Sequence, residues 1–223
     1  MQELSRRKLL SLATVAPVAG AILSANANAA GTKRTFAHET YAGARDRIHQ
    51  RYLPNVTLTT HEGKQVRFYD DLVKDKVVTF NFFYANCENV CPIVTANLAK
   101  VQRLLGDRVG KDIFMYSFTL KPEEDTKDAI KEYANMHGVK PGWTFLTGKP
   151  ADIEHLRRSL GFTYPDPAVD SDKEQHIGNV RYGNEPLMLW SACPGMAHAE
   201  WIAETLSRMI RSKDNLPLVA RKS

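Results

Sequence analysis

Residues 77–92 of this chain read VVTFNFFYANCENVCP, an apolar run followed by two cysteines and a proline. The run 77–85 lacks the alternation of a half-exposed strand, so it predicts a central β-strand covered on both faces. Pro92 suits the first turn of a helix. The stretch therefore carries two thiols, Cys87 and Cys91, from the end of a buried strand to the start of a helix.

This position favours ionisation of the thiols. The free N–H groups and the positive dipole end of a helix N-terminus stabilise a thiolate, which is the reactive form in disulfide exchange and in soft-metal binding. The C-x3-C spacing of Cys87 and Cys91 allows both sulfurs to lie on one face of a helical turn. A disulfide and a shared metal ion both remain open.

Strands and helices alternate on both sides of this stretch. Helices are predicted over residues 92–105, 123–137, 151–160 and 198–211, with a loop over 163–175. Strands are predicted over residues 55–60, 65–69, 77–85, 112–120, 143–146, 176–182 and 186–190. This order predicts an α/β protein with a thioredoxin-like fold, in which helices flank a central mixed sheet and a β-hairpin is added at the N-terminus.

The amino end carries the pattern of an export signal. Three basic residues, 6–8, precede an uncharged apolar run, and Ala27-Asn28-Ala29 forms a small-x-small cleavage site. Residues 5–10, SRRKLL, fit a twin-arginine signal; a Sec signal and an uncleaved membrane anchor are the alternatives. We expect a signal peptide over residues 1–29. The protein should be periplasmic, or anchored in the membrane and facing the periplasm if the signal is not cleaved.

The rest of the chain predicts a single domain over residues 54–213. Residues 30–53 are interpreted as a mobile lead segment or a short surface helix, and residues 214–223 as a tail. Removal of residues 1–29 lowers the formal net charge from +5 to +3, because they hold three basic residues and one acidic. Charges of both signs are interspersed, which argues against nucleic acid as a partner, and the absence of repeats argues against a structural or adhesive module.

The cysteine count points to a pair or a metal site. Three cysteines are an odd number for an exported protein, so a disulfide framework does not fit. Two thiolates favour Cu(I) or zinc, but structural zinc takes four ligands and no second close pair is present. Cu(I) accepts two or three soft ligands. The candidates for a third ligand are His176, His155, His137 and His198.

The position of each histidine separates these candidates. His176 opens the predicted closing hairpin, which in a thioredoxin-like sheet lies close to the loop after the first central strand. His155 and His137 lie in predicted helices among charged neighbours, where an ordinary solvated residue is the simpler interpretation.

Taken together, these motifs resemble the Sco/SenC family of copper proteins. The resemblance covers roughly residues 50–212 and includes a histidine 85 positions after the second cysteine. It rests on Phe83-x-x-x-Cys87-x-x-x-Cys91-Pro92, on residues 117–126 (SFTLKPEEDT), on residues 143–148 (WTFLTG) and on His176.

The resemblance implies a copper ion, Cu(I) or Cu(II), held by Cys87, Cys91 and His176. It implies a metallochaperone that helps to assemble the copper centre of cytochrome c oxidase. Its partners would be a client copper protein, such as an oxidase subunit or another respiratory enzyme, and a copper donor or thiol reductant. Family members also have thiol-disulfide roles, in which Cys87 would attack a client disulfide and Cys91 would resolve the mixed disulfide.

Several positions depart from the family pattern. Glu88 and Asn89 replace the usual proline and acid between the cysteines, Gln175 precedes the histidine, and residues 177–185 lack the usual Asp-Pro-x-Gly hairpin. Residues 191–196, SACPGM, are also unusual.

Cys193 has two interpretations. It is a buried thiol without a role, or it is a resolving thiol or extra copper ligand with Met188, Met196 and His198 nearby. We expect Cys193 to be dispensable for Cu(I) binding.

Overall fold

The computed structural model describes residues 41–175 and 178–214, whose strands form a seven-stranded mixed sheet. The strands are β1 Thr57–Thr60, β2 Gln65–Arg67, β3 Val77–Phe83, β4 Ile113–Thr119, β5 Trp143–Gly148, β6 Asn179–Asn184 and β7 Leu189–Pro194. The helices are α1 Tyr41–Tyr52, α2 Val90–Leu105, α3 Lys127–Met136, α4 Pro150–Ser159, α5 Pro167–Ser171 and α6 Ala199–Asp214. The sheet order is β2-β1-β5-β4-β3-β6-β7.

Strand β3 lies inside the sheet, and all seven of its residues are buried. It pairs in parallel with β4 from Val77 opposite Ile113 to Phe83 opposite Thr119. On its other side it pairs antiparallel with β6. The β1–β2 hairpin extends the far side of the sheet through antiparallel pairing with β5. The predicted thioredoxin-like architecture with an N-terminal hairpin is confirmed.

Helices cover both faces of the sheet, as alternate residues of β3 show. The Phe83 ring stacks on Tyr133 of α3 at 5.0 Å, and the Tyr133 hydroxyl is 3.0 Å from Thr95 of α2. This is the α2 face. Phe82 points to the opposite face, where its ring meets Phe162, just beyond α4, at 4.8 Å.

Three predicted boundaries are wrong for local reasons. Helix α3 begins at Lys127 rather than 123, because the Thr126 hydroxyl caps it by accepting the N–H of Ala129. Strand β7 begins at Leu189 rather than 186, because Glu185–Leu187 forms a 3-10 turn. The predicted loop 163–175 contains α5 and a second 3-10 turn, Lys173–Gln175.

Some predictions lie outside the described residues. They are the signal over 1–29, the first part of the lead segment at 30–40, the tail beyond Asp214, and residues 176–177, which include His176. Of the lead segment, residues 41–52 form α1, and strand β6 begins at Asn179. None of the helices in the described residues combines the length and the apolar composition that a membrane span requires.

Substitution of two glycines, Gly142 and Gly138, measures how much close backbone packing contributes to the free energy of unfolding. Gly142 and Gly138 both have positive φ, +91° and +64°. A Cβ at Gly142 would lie 2.5 Å from the backbone nitrogen of Gly110, whereas a Cβ at Gly138 would meet nothing within 4 Å. Gly138→Ala should cost about 1 kcal/mol of unfolding free energy through φ strain alone. Gly142→Ala should lower the free energy of unfolding by more than about 3 kcal/mol, as measured by urea unfolding. An equal loss in the two variants would contradict a close contact between Gly142 and Gly110.

Candidate metal centre

The two cysteines lie in a loop, residues 84–91, that joins β3 to α2; we call it the thiol loop. Cys91 is the second residue of α2, which begins two residues earlier than predicted. Cys87 lies before the helix, and Asn89 has φ −110° and ψ −102°, outside the helical region. The interpretation of the C-x3-C spacing as one face of a helical turn is therefore wrong, and the loop itself brings the thiols together.

Both thiols are buried, reduced and hydrogen-bonded to each other. Cys87 is 8% exposed and Cys91 is 1% exposed. The side chains between them, Glu88 and Asn89, are exposed as the sequence suggests. An incoming molecule therefore meets a polar loop and reaches Cys87 before Cys91.

The environments of the two thiols differ in their effect on ionisation. Burial raises the pKa of Cys87, whereas hydrogen bonds from the Tyr84 hydroxyl and the Cys91 thiol lower it. Backbone N–H groups of Cys91 and Asn89 lower it further, so the pKa of Cys87 lies below its ordinary value. Burial raises the pKa of Cys91 well above its ordinary value, and its hydrogen bond to Cys87 raises it further. The pair thus favours a thiolate at Cys87 and a proton on Cys91.

Tyr84 and Lys121 contribute to this site, and the sequence interpretation missed both. The pKa of Tyr84 is raised by burial and by its hydrogen bond to Cys87, so the phenol stays protonated and donates. The Lys121 ammonium lies 4.5 Å from the centre of the Tyr84 ring. Tyr84 belongs to residues 77–92, but in the sequence it indicates only a buried strand and not a hydrogen bond to Cys87.

Asp125, in the segment 117–126 quoted above, fastens the thiol loop to the sheet. Its carboxylate oxygens accept the backbone N–H of Ala85 at 3.1 and 3.2 Å and a hydrogen bond from the Thr119 hydroxyl. Asp125 is buried, and burial raises its pKa. The carboxyl end of β3 is therefore tied to the carboxyl end of β4 just where the loop starts.

The described residues on either side of His176 lie against the thiol loop. Gly178 lies just before β6, and its carbonyl oxygen accepts the N–H of Gly195 at 2.8 Å. A Cβ at Gly178 would lie 2.6 Å from Cγ1 of Val90. On the other side, the Glu174 carboxylate is 3.8 Å from the Lys121 ammonium, which stacks on Tyr84.

Ion pairs hold the segment that precedes His176. Arg157 binds Asp170 through two hydrogen bonds of 2.7 and 2.8 Å, and both side chains are buried. Lys173 binds Glu154 at 2.9 Å, and hydrogen bonding from Arg157 lowers the pKa of Glu154 to about 2. Helix α4 thus anchors α5 and the turn after it.

The other candidate histidines do not join the thiols. His155 and His198 are exposed. His137 is half-buried rather than solvated, since its ring lies 4.5 Å from that of Tyr133, and burial lowers its pKa. Within the described ranges, no three or more His, Cys, Asp or Glu residues lie close enough to hold a metal ion.

Cys193 is a buried thiol in β7, opposite Val180 of β6. Burial raises its pKa to about 11, so it stays protonated at neutral pH. Met196 nearby is exposed, and Met188 has a left-handed φ of 54°. These surroundings favour the interpretation of Cys193 as a core residue.

The donor chemistry fits a soft metal ion. Two thiols in contact, one of them disposed to ionise, provide the sulfur ligands that Cu(I) prefers. Cys91 must release its proton when a metal binds. The same pair also fits disulfide exchange, with Cys87 as the attacking thiol and Cys91 as the resolving thiol.

Comparisons with known proteins agree in their result. The family model described as SCO1/SenC matches residues 45–209. A Bacillus subtilis protein named SCO1 protein homolog is 31% identical over 102 residues, which cover 45% of this chain and 51% of that protein. Protein SenC of Rhodobacter capsulatus is 27% identical over 134 residues, which cover 57% and 58%. This chain thus spans little more than half the length of these curated relatives.

Among solved structures, copper-bound ScoI of Bradyrhizobium japonicum is similar to this chain. The TM-score is 0.56 and the identity 25%, with 69% of this chain and 96% of that chain covered.

The asymmetry of the thiols predicts their order of alkylation. In the reduced protein at pH 7, iodoacetamide should modify Cys87 before Cys91 and Cys193, as read by peptide mass spectrometry. Tyr84→Phe removes a charge-assisted hydrogen bond of about 1.5 kcal/mol that lowers the pKa of Cys87, so that pKa should rise. Its alkylation should then slow by up to about tenfold at pH 7, with the difference vanishing at high pH. Modification of Cys91 or Cys193 first would contradict the assignment.

Proposed function

This chain belongs to the SCO1/SenC family, and on that premise we propose that it is an exported copper metallochaperone. It binds one copper ion through Cys87, Cys91 and His176 and delivers the ion to a respiratory copper enzyme such as cytochrome c oxidase. The copper in the structure of the Bradyrhizobium relative supports copper as the cargo.

One observation carries this proposal: the thiol loop holds two thiols in contact, and the described residues before and after His176 lie near that loop, one directly and one through Lys121. Gly178 touches Val90, and Glu174 lies beside Lys121. Two residues of extended chain span about 7 Å. On this proposal the imidazole at position 176 completes a Cys2His donor set with the two sulfurs.

The charges around the loop suit a bound Cu(I) ion. Two thiolates, one neutral imidazole and Cu(I) sum to a net charge of about −1. The N–H groups at the start of α2 and the Lys121 ammonium offset this charge. Transfer to a client proceeds by ligand exchange, and a client thiol meets Cys87 first because Cys87 is the more exposed sulfur.

The cellular setting follows from the sequence and is part of the proposal. Residues 1–29 act as the export signal, of twin-arginine type, and place the protein in the periplasm or on its membrane face. Residues 54–213 form the copper-binding domain, and residues 214–223 form a tail.

A second candidate function, thiol-disulfide exchange, is favoured by the unequal pKa values of the thiols. The Cys87 thiolate attacks a client disulfide and releases one client thiolate. Cys91 then attacks the mixed disulfide, so the client is reduced and the Cys87–Cys91 pair is oxidised. An external thiol reductant must restore the pair. This step needs no imidazole, whereas copper retention does.

An anaerobic Cu(I) titration of the reduced protein against a chromophoric chelator tests the proposal. Wild type should bind one equivalent, and Cys87→Ser/Cys91→Ser should bind none. His176→Ala should bind at least about tenfold more weakly, because even the loss of an outer-shell partner costs about 10- to 100-fold. His155→Ala, an exposed histidine on α4, is the matched control and should bind as wild type does, as should Cys193→Ser.

Two outcomes would contradict this assignment. If wild type binds no copper but exchanges disulfides with a model client, and His176→Ala does so equally well, the redox function replaces the copper function. If Cys193→Ser alone loses the metal, the ligand set is wrong.

A further inference from the structure

A cavity of about 290 Å³ lies on the face of the sheet opposite α2. It is enclosed by α1, by the end of α4 and by strands β3, β6 and β7. Phe80 lines it, and Phe80 shares its face of β3 with Phe82, which points away from the α2 face. The cavity is therefore separated from the thiol loop by the sheet. Its volume is near the lower end of the range for small-molecule pockets, about 300 Å³.

The walls of the cavity are largely apolar and firmly packed. Ile48 and Leu53 contribute from α1 and its C-terminal end, and Leu160 from the end of α4. The rings of Phe80 and Trp190 stack at 6.1 Å and 18°. The Trp190 ring packs directly on Gly183, since a Cβ at Gly183 would be 2.2 Å from the indole ring. This close contact holds the ring in place.

In the described part of the chain, one polar group of this cavity lacks a hydrogen-bond acceptor and one cation lacks an ion-pair partner. The Trp190 Nε1–H is buried and has no acceptor within the described part of the chain. The Arg181 guanidinium donates from Nη2 to the carbonyl oxygen of Gly161 at 2.8 Å and lies over the Phe162 ring. Among residues 41–175 and 178–214, no carboxylate lies within ion-pair distance of it. A buried donor without an acceptor is destabilising, so such a group calls for an explanation.

The two groups are neighbours on one face of the sheet. Arg181 is opposite Ala192 and Gly183 is opposite Trp190 in the β6–β7 pairing, so both side chains stand on the same side, one pleat apart. Among the described residues that line the cavity, Arg181 is the one with a charge. A ligand with a single negative charge matches it, and a planar carboxylate matches the guanidinium fork.

We propose that this cavity binds a small monocarboxylate with an apolar body, whose carboxylate pairs with Arg181 and accepts the Trp190 N–H. The apolar body fills the space between Ile48, Phe80 and Leu160. A phosphate is disfavoured, because a second negative charge would find no further cation in the lining. This proposal does not depend on copper binding.

Decanoate titration of the full chain, followed by calorimetry and by tryptophan fluorescence, tests the proposal, with uncharged decanol as the matched ligand. Decanoate should bind in saturable fashion with one-to-one stoichiometry, at least about tenfold more tightly than decanol. Arg181→Gln should weaken decanoate about tenfold or more and leave decanol unchanged. Arg108→Gln, which removes a partly exposed arginine bonded to Ser207 of α6, should change neither.

A second variant, which fills the cavity, tests the proposal even if Arg181→Gln fails to fold. Ile48→Trp on α1 should abolish decanoate binding while the melting temperature and Cu(I) stoichiometry stay those of wild type. Absence of saturable decanoate binding by wild type would overturn the proposal, including the case in which residues 1–40 of the same chain occupy the cavity. Equal affinity for decanoate and decanol, unaffected by Arg181→Gln, would also overturn it.

Discussion

Strand β3 is paired on both sides: β4 runs parallel to it as far as Phe83, and β6 runs antiparallel to it from Val77 to Phe80. The pairing with β4 fixes the position of its carboxyl end. The parallel partner ends at Thr119, next to the end of β3, where Asp125 accepts the N–H of Ala85 near the start of the thiol loop. The antiparallel partner begins at Asn179, and Gly178 just before it packs against Val90 of the thiol loop. The cysteines that follow β3 and Gly178 thus lie close to one another.

Burial at this junction makes the two thiols unequal. Cys87 receives hydrogen bonds from Tyr84 and from backbone N–H groups, whereas Cys91 sits deeper and donates to Cys87. A pair with unequal pKa values serves either proposed chemistry, because the sulfur that ionises more readily acts first as ligand or nucleophile and the other follows after it loses its proton. The third donor decides between the two functions. Both chemistries require the two cysteines, whereas only copper retention requires His176.

The sequence predicts the elements that carry a simple period and misses what depends on distant contacts. The apolar run of β3 and the Cys87–Cys91 pair are read directly, and the class of fold follows from the order of elements. The shift of β7 arises from a 3-10 turn at Glu185–Leu187, which local periodicity does not show. The roles of Tyr84 and Asp125 arise from contacts across the fold, which no spacing rule contains. The sequence does not predict the cavity at Arg181 either, because its walls come from separate helices and strands.

X-ray absorption at the copper edge of the Cu(I)-loaded protein would identify the ligand set, since it counts the atoms bound to the metal. We expect two sulfur neighbours and one nitrogen neighbour, with the nitrogen lost in His176→Ala and retained in His155→Ala. A spectrum with sulfur neighbours alone, unchanged by His176→Ala, would contradict the Cys2His site.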